Sequence, residues 1–540
     1  MQRRDFLKTS LSVAALSSLP ASSLAKGSEW VNDQLTDDWP IARLKDSENN
    51  SIDFNGDDIN RPHDAFWNID GYIEKKGGEP KSFSEDLDVV IVGGGIAGLS
   101  TAYYLRDKKI ALLEMDFRLG GNSKGEQYKN SVYSTGAAYL VEPDQTAPLG
   151  SLLTELGIWD KARRESSDHT TVLYNNKFTS PFWKGATDKA AADNFNKVFK
   201  RLAEIGAEAD FDYNGELARS VDHLNFEQWL AKEFGDVHKH LLEYFQLYGW
   251  SSFCGSTDEL SAYQYLGFIC AETGTLMAYP GGNAYVAHKM AQKIRKDAGD
   301  KSLRAGSIVL RVTTEGDSAV ILYEDAMGVL KKIRAKQVVM ACQKFVAKRL
   351  LPQMPKDQAD AITMLPYRAY LVGNILTKKN FQSPSYELYC LKGQVPPSPT
   401  PMRRGDRSFT DVCFGTWAQE DKVDHSVLTL YHGIPYDGAR QFLFNPASHD
   451  KYKAKYLQDV EPILQTMNLG MNDVHGIRLT RWGHALPLSR AGLIQDGLPP
   501  KASESINGII HFANQDNWMN PCFETAHHCA IEVATKIKGQ

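Results

Sequence analysis

Apolar residues along the chain fall into distinct periods. The runs Asp88–Val92 (DVVIV) and Ile110–Leu113 (IALL) are uninterrupted and β-branched or aliphatic, the pattern of strands buried on both faces of a parallel sheet. Residues Leu99 to Arg106 between them continue as a helix, so a strand–helix–strand unit begins near residue 86. From Asp210 to Ala291 the period becomes helical: Phe226-Glu227-Gln228-Trp229-Leu230 opens an amphipathic run and Leu241 to Tyr248 continues it. Tyr367 to Leu376 and Ser426 to Tyr431 read as strands of a second sheet with helices between them. Near the end, the stretch Gly508 to Asp516 opens as a strand and runs towards a last helix through Ile531 and Ala534. Residues 26–85 are rich in Asp, Asn and Gly and predict a leader that lies over the surface with short local elements.

Composition narrows the picture only a little. With 540 residues, 42% of them hydrophobic and 24% charged, the chain is long enough for two or three cores. A net charge of −5 gives no reason to expect nucleic acid as a partner. No later run approaches the roughly 18 apolar residues a spanning helix needs, so no stable membrane insertion is expected. The 7 cysteines are scattered without a C-x-x-C pair, which signals neither a disulfide framework nor a zinc site. No metal site is expected. His527-His528-Cys529 looks like a ligand set, but neighbours on a helix point to different faces. Arg404-Gly405-Asp406 reads as an ordinary polar loop. H-E-x-x-H is missing, which removes a common metallohydrolase reading.

The chain opens MQRRDFLKTSLSVAALSSLPASSLA. A basic start, an apolar middle and a small-residue ending make residues 1–25 an export signal. Arg3-Arg4-Asp5-Phe6-Leu7-Lys8 resembles the twin-arginine consensus, read by a translocase that carries folded cargo. The expectation is a periplasmic protein that acquires a cofactor before export.

A cofactor signal follows. Directly after the first buried strand comes Gly93-Gly94-Gly95-Ile96-Ala97-Gly98. Gly93 allows the tight turn, Gly95 lets backbone approach a pyrophosphate, and Gly98 lets the helix pack against the sheet. Glu114 ends the second strand about twenty residues on, where a carboxylate accepts hydrogen bonds from a ribose. These positions predict dinucleotide binding but do not separate NAD from FAD.

The continuation does. Glu114-x-x-x-Arg118-x-Gly120-Gly121-Asn122, starting beside Met115, resembles the second signature of the flavin-containing amine oxidase superfamily. That resemblance implies FAD, with Arg118 and the glycine pair around its pyrophosphate. Further similar stretches follow in the family's order. Ser134-Thr135-Gly136-Ala137-Ala138-Tyr139 resembles the loop beneath the flavin ring, and Pro280-Gly281-Gly282-Asn283 the turn before the helix returning to the FAD domain. Ser307-Ile308-Val309-Leu310 is similar to the strand contacting adenine, and 335–342, ending at Ala341-Cys342, to the strand closing that segment. Residues 508–516, with Gln515 and Asp516, then Phe523-Glu524-Thr525-Ala526, resemble the terminal flavin-contact loop and helix. The implied fold class is α/β: a doubly wound Rossmann-type FAD-binding domain assembled from 86–170, 280–345 and 500–540, with an α+β substrate domain from 171–279 and 346–499.

The resemblance implies oxidation of a C–N bond in a small-molecule amine or amino acid. A desaturase or dehydrogenase, or a flavin-binding partner subunit with little turnover, are the alternatives. The electron acceptor is oxygen or a quinone. Trp482, Cys522 and Phe523 are the candidates on the substrate face, with Trp518 near them; aromatic residues equally fill cores. Family members carry a lysine on the strand that here reads Tyr367 to Asn374, and this stretch has none. The position falls near Val372, with Arg368 and Asn374 the nearest polar residues, which puts rapid use of oxygen in doubt. Cys522 and His484 sit in a region where other members bond flavin covalently, yet neither lies in a linkage motif, so FAD is expected to be non-covalent.

Overall fold

The computed structural model describes residues 38–539 except 44–49, 167–169, 185–188, 210, 382, 384, 394–408 and 420–421. The export signal 1–25, the leader up to residue 37 and Arg404-Gly405-Asp406 lie outside the described residues.

A nucleotide-type sheet runs in the order Leu303–Arg304, Ile110–Leu113, Glu85–Val92, Leu330–Met340, Ser318–Glu324, Ile308–Glu315. Leu330–Met340 is shared. Its first half pairs antiparallel with Ser318–Glu324 and its last three residues pair parallel with Ile510–Phe512. Val92 lies beside Leu113 on one side and Met340 on the other, so three strands end level where Gly93 begins. In a parallel sheet that carboxyl edge is where ligands bind. Three helices cover one face: Ile96–Tyr104, Asn283–Ala298 and the C-terminal Phe523–Lys538. Their small residues Ala97, Ala102, Ala284, Ala287, Ala526 and Ala534 pack with Leu99, Val89 and Ile91 in one core.

A second sheet of eight strands roofs this domain. Its order is Lys177–Thr179, Thr171–Tyr174, Glu387–Cys390, Asp411–Phe414, Val427–Ile434, Tyr367–Thr377, Val474–Pro487, Asn55–Gly56. Side chains alternate across it. Ala369, Leu371 and Ile375 pack outward with Tyr456 and Val460 of helix Ala447–Thr466, whereas Tyr370, Val372, Tyr431 and Trp482 gather on the inner face. The predicted helical stretch forms Glu216–Val221, Phe226–Phe234, Lys239–Phe253 and Ala262–Ile269 around an aromatic core. No helix among the described residues is long and apolar enough to cross a membrane.

The leader departs from the surface-lying expectation. Ile41–Arg43 pairs parallel with Gly125–Tyr128, and Asn55–Gly56 adds to the edge of the roof sheet. Helices Arg61–Phe66 and Ile69–Lys75 bury Ala65 and Ile73 against Ile308, Leu310 and Leu322. The few apolar residues of this polar segment are spaced to plug into the domain, and a composition average hides such spacing.

Candidate functional site

The glycine turn owes its shape to contacts only glycine permits. Gly93 sits at φ +114°, and a Cβ there would lie 2.8 Å from the Ala341 carbonyl oxygen. On Gly98 a Cβ would stand 1.8 Å from the Gly93 oxygen. Gly98 is therefore a packing residue. Gly95 has no neighbour nearer than 3.7 Å to such an atom and borders a cavity instead. It precedes the helix Ile96–Tyr104, which has neither a side-chain cap nor an acid in its first turn, leaving N–H groups and the positive dipole end directed at any anion in the cavity. Glu114 Oε2 accepts a 2.6 Å bond from the Gly94 N–H and Oε1 a 2.7 Å bond from the Asp116 N–H. Burial raises its pKa despite Lys124 nearby.

The cavity measures about 390 Å³. It gathers most residues the sequence singled out: Gly93, Gly95, Ile96, Ala97, Glu114, Met115, Gly120, Gly121, Asn122, Gly136, Ala137, Ala138, Tyr139, Val309, Ala341, Trp482, Gln515, Cys522, Phe523, Glu524, Thr525 and Ala526. A long cleft that joins an uncapped helix start, a glycine cradle and a strand-end carboxylate fits an FAD pyrophosphate and ribose.

Some positions lie elsewhere. Arg118 turns away from the cavity and donates to the carbonyl oxygens of Pro40 (2.6 Å) and Gly125 (2.8 Å), so it fastens the leader rather than reaching a phosphate. The cations that do border the cavity are Lys124, paired with Asp116 and 5.7 Å from the Trp482 ring centre, and Arg61 of the leader. Asp516 is also drawn away: it pairs with Lys344 Nζ at 2.7 Å and accepts from Tyr367 Oη at 2.7 Å. Trp518 packs on Tyr213 and His528, and His484 on Phe345, outside the lining. His527 and His528 diverge, the first bonded to Tyr104 Oη and the second near Glu532. Val372 lines the cavity, while Arg368 pairs with Glu259 and Asp437, and Asn374 accepts from Thr429.

Where the roof sheet borders the cavity, the structure shows residues that sequence reasoning missed. Glu272, Glu387 and Asp411 line it together with Tyr139, Ser251, Tyr370 and Tyr431. Glu387 lies opposite Cys413 and Tyr389 opposite Asp411 in the register of neighbouring strands, which puts all four on one face. Ligand-type atoms of Glu387, Asp411 and Cys413 fall within 4.8 Å of one another. Tyr139 Oη donates to Glu272 at 3.0 Å. Desolvation pushes Glu272 up to about 7 and Asp411 to about 6; burial and then repulsion from both acids hold Glu387 well above the usual carboxylate range. The leading influences on these three acids are burial, each other, the further acids Glu524 and Glu165, and hydroxyl groups, with no lysine or arginine among them. A signal existed in acids set inside the apolar runs YELYC and TDVCF.

A family model described as flavin containing amine oxidoreductase matches residues 96–533. The chain is 20% identical over 518 residues to oxidoreductase PigB of Serratia sp. (strain ATCC 39006), spanning 84% of this chain and 76% of PigB. It is 23% identical over 325 residues to flavin-containing amine oxidase B of Rattus norvegicus, spanning 55% of this chain and 58% of the relative. Putrescine oxidase bound to putrescine superposes with a TM-score of 0.63 at 18% identity, over 84% of this chain and 99% of that one. Cyclohexylamine oxidase from Brevibacterium oxydans IH-35A gives 0.61 at 17% identity, over 84% and 100%. The chain thus belongs to the flavin-containing amine oxidoreductase family and is an FAD-dependent oxidoreductase.

Proposed function

We propose that the chain is a periplasmic enzyme that oxidises a C–N bond in a cationic amine. The observation that carries this reading is the group of three carboxylates, Glu272, Glu387 and Asp411, set in the cavity without a leading cationic neighbour. Clustered desolvated acids must be neutralised, by protons or by a cation. An ammonium group supplies the charge, and the faces of Tyr370, Tyr431 and Trp482 suit a cation as well. The range of substrates narrows accordingly: an amino acid would bring its own carboxylate into the same field and be repelled.

Bound FAD supplies the hydride acceptor for the carbon beside nitrogen. The chain's residues do the rest. Acids poised near neutrality take a proton from the incoming ammonium, freeing the nitrogen lone pair that drives hydride loss. Aromatic walls exclude water while this happens. Water then hydrolyses the released imine.

Export as a folded, flavin-loaded cargo is supported by Arg3-Arg4-Asp5-Phe6-Leu7-Lys8 and by the family's cofactor. The flavin is held without a covalent bond, so acid precipitation releases the yellow chromophore into solution. Without a lysine on Tyr367–Thr377, reoxidation by a quinone competes with oxygen.

The test is an anaerobic stopped-flow screen of polyamines, aromatic monoamines and L-amino acids, followed by oxygen or quinone. Bleaching of flavin absorbance by amines and not by amino acids supports the reading. Bleaching by an amino acid or a non-amine alone overturns it.

A further inference from the structure

We infer that residues 55–66 of the leader are a cofactor-retaining strap, with Arg61 as its latch on the adenosine side of the FAD site. The matched family region begins at residue 96, so this element lies outside it. Even so, Asp57, Asp58, Arg61, Pro62 and Phe66 line the same cavity as Gly95, Glu114, Met115 and Val309.

The strap is fastened at both ends to different domains. On the roof side, Asn55 and Gly56 pair parallel with Thr480 and Arg481. Gly56 sits at φ +91°, and a Cβ there would lie 2.2 Å from the Arg481 carbonyl oxygen, so this crossing requires glycine. The Asp57 N–H donates to Arg481 O at 3.1 Å, and Asp57 Oδ2 accepts from the Gly483 N–H at 2.7 Å. On the nucleotide side, Arg61 donates to the carbonyl oxygens of Met115 (3.2 Å) and Gly306 (2.9 Å) and pairs with Glu324 at 3.2 Å. Glu324 is held in turn by Tyr72 Oη at 2.7 Å and Lys76 Nζ at 2.9 Å. Both carbonyls that Arg61 grips flank the cofactor lining, at Met115 after the strand-end Glu114 and at Gly306 before Ser307 to Val309.

The segment therefore crosses the cleft from one wall to the other. Its guanidinium makes bonds to two backbone carbonyls and a carboxylate, a geometry that a lysine cannot reproduce. A bound dinucleotide under such a tie leaves only when one end opens, and Arg61 is the end built from side-chain contacts alone. The roof end adds the Asp57 carboxylate on the Gly483 N–H to backbone pairing and stays.

The experiment measures FAD dissociation from the full-length, flavin-loaded protein by recovery of free-flavin fluorescence after dilution. Arg61→Ala should release FAD at least about tenfold faster, with an unchanged visible spectrum when saturated with FAD. Glu324 keeps Tyr72 and Lys76 in this variant, so folding is expected to hold. Hydrogen exchange on the unaltered protein is the second measurement: peptides covering 55–66 should be protected when FAD is bound and open when it is removed. An unchanged dissociation rate in folded Arg61→Ala, or exchange in 55–66 that ignores FAD, overturns the strap. Failure of the unaltered protein to bind FAD would instead overturn the cofactor assignment itself.

Discussion

Glu272→Gln should push stability and activity in opposite directions. The carboxyl sits at about 7 in the folded chain against 4.5 in water. A group whose folded pKa is raised binds its proton more tightly in the native state, so it destabilises the fold as pH rises from about 4.5 to about 7, and the penalty is complete above 7. At about 1.4 kcal/mol per pKa unit that penalty is about 3 kcal/mol. Glutamine keeps an oxygen able to accept from Tyr139 and carries no charge, so the variant should be more stable at pH 8 by up to that amount and nearly unchanged at pH 5. Losing the charge removes about 2–4 kcal/mol of attraction for an ammonium in contact, taking an effective dielectric near 20. That corresponds to a fall of about 30- to 1000-fold in kcat/KM for a cationic amine. Thermal melts at pH 5 and pH 8, with steady-state kinetics on the same preparations, read both quantities. A variant that melts lower than wild type at pH 8 would show that the Glu272 charge is no cost to the fold, and one that turns over amines unchanged that it is no hold on substrate.

Three further outcomes are expected. Gly98→Val forces a Cβ against the Gly93 oxygen, 1.8 Å away, and should yield protein without flavin absorbance at 450 nm or no soluble protein; a yellow, stable variant would refute the packing role. Lys344→Met leaves Asp516 buried with an uncompensated charge and should cost about 3–5 kcal/mol, whereas adding Asp516→Leu should recover much of it; denaturant midpoints of the single and double variants decide. Arg3→Lys with Arg4→Lys should leave yellow protein in the cytoplasm, and its arrival in the periplasm would end the twin-arginine reading.

The nucleotide-binding part was legible because its signals are local. A β-branched run, a glycine at each strained position and an acid at the next strand's end occupy residues 88–114 in order, and each is dictated by backbone geometry within a few residues of itself. The observed strand Ile110–Leu113 matches the pattern to the residue. Arg118 and Asp516 misled for the opposite reason. Both occupy motif positions, yet a charged side chain reaches several ångströms, and where it ends depends on partners far away in sequence: Pro40 for one, Lys344 for the other. The leader was misread on composition. Polar averages conceal Ile41, Ala65 and Ile73, whose burial was set by which surfaces lay opposite.

The acid cluster marks where local reading has to stop. Alternation along YELYC puts Glu387 and Tyr389 on one face of a strand, and alternation along DVCF does the same for Asp411 and Cys413. Nothing local says that those two faces adjoin, nor that Glu272, from a short turn after the helix Ala262–Ile269, completes the group. Burial lifts all three pKa values, and neighbouring carboxylates add to it at Glu387 and Glu272, which happens only once three distant segments meet, so the property that points to a cationic ligand belongs to the fold and to no motif. It also accounts for the expected opposition in Glu272→Gln. Acids held together with no cation among their leading neighbours destabilise the empty enzyme, and a ligand carrying that charge offsets the cost on binding. Amine affinity should then fall as pH drops through about 7 and 6, where Glu272 and Asp411 take up protons, even though the amine itself stays fully charged across that range. A KM for a cationic amine that stays flat between pH 8 and pH 5 would separate these carboxylates from substrate recognition.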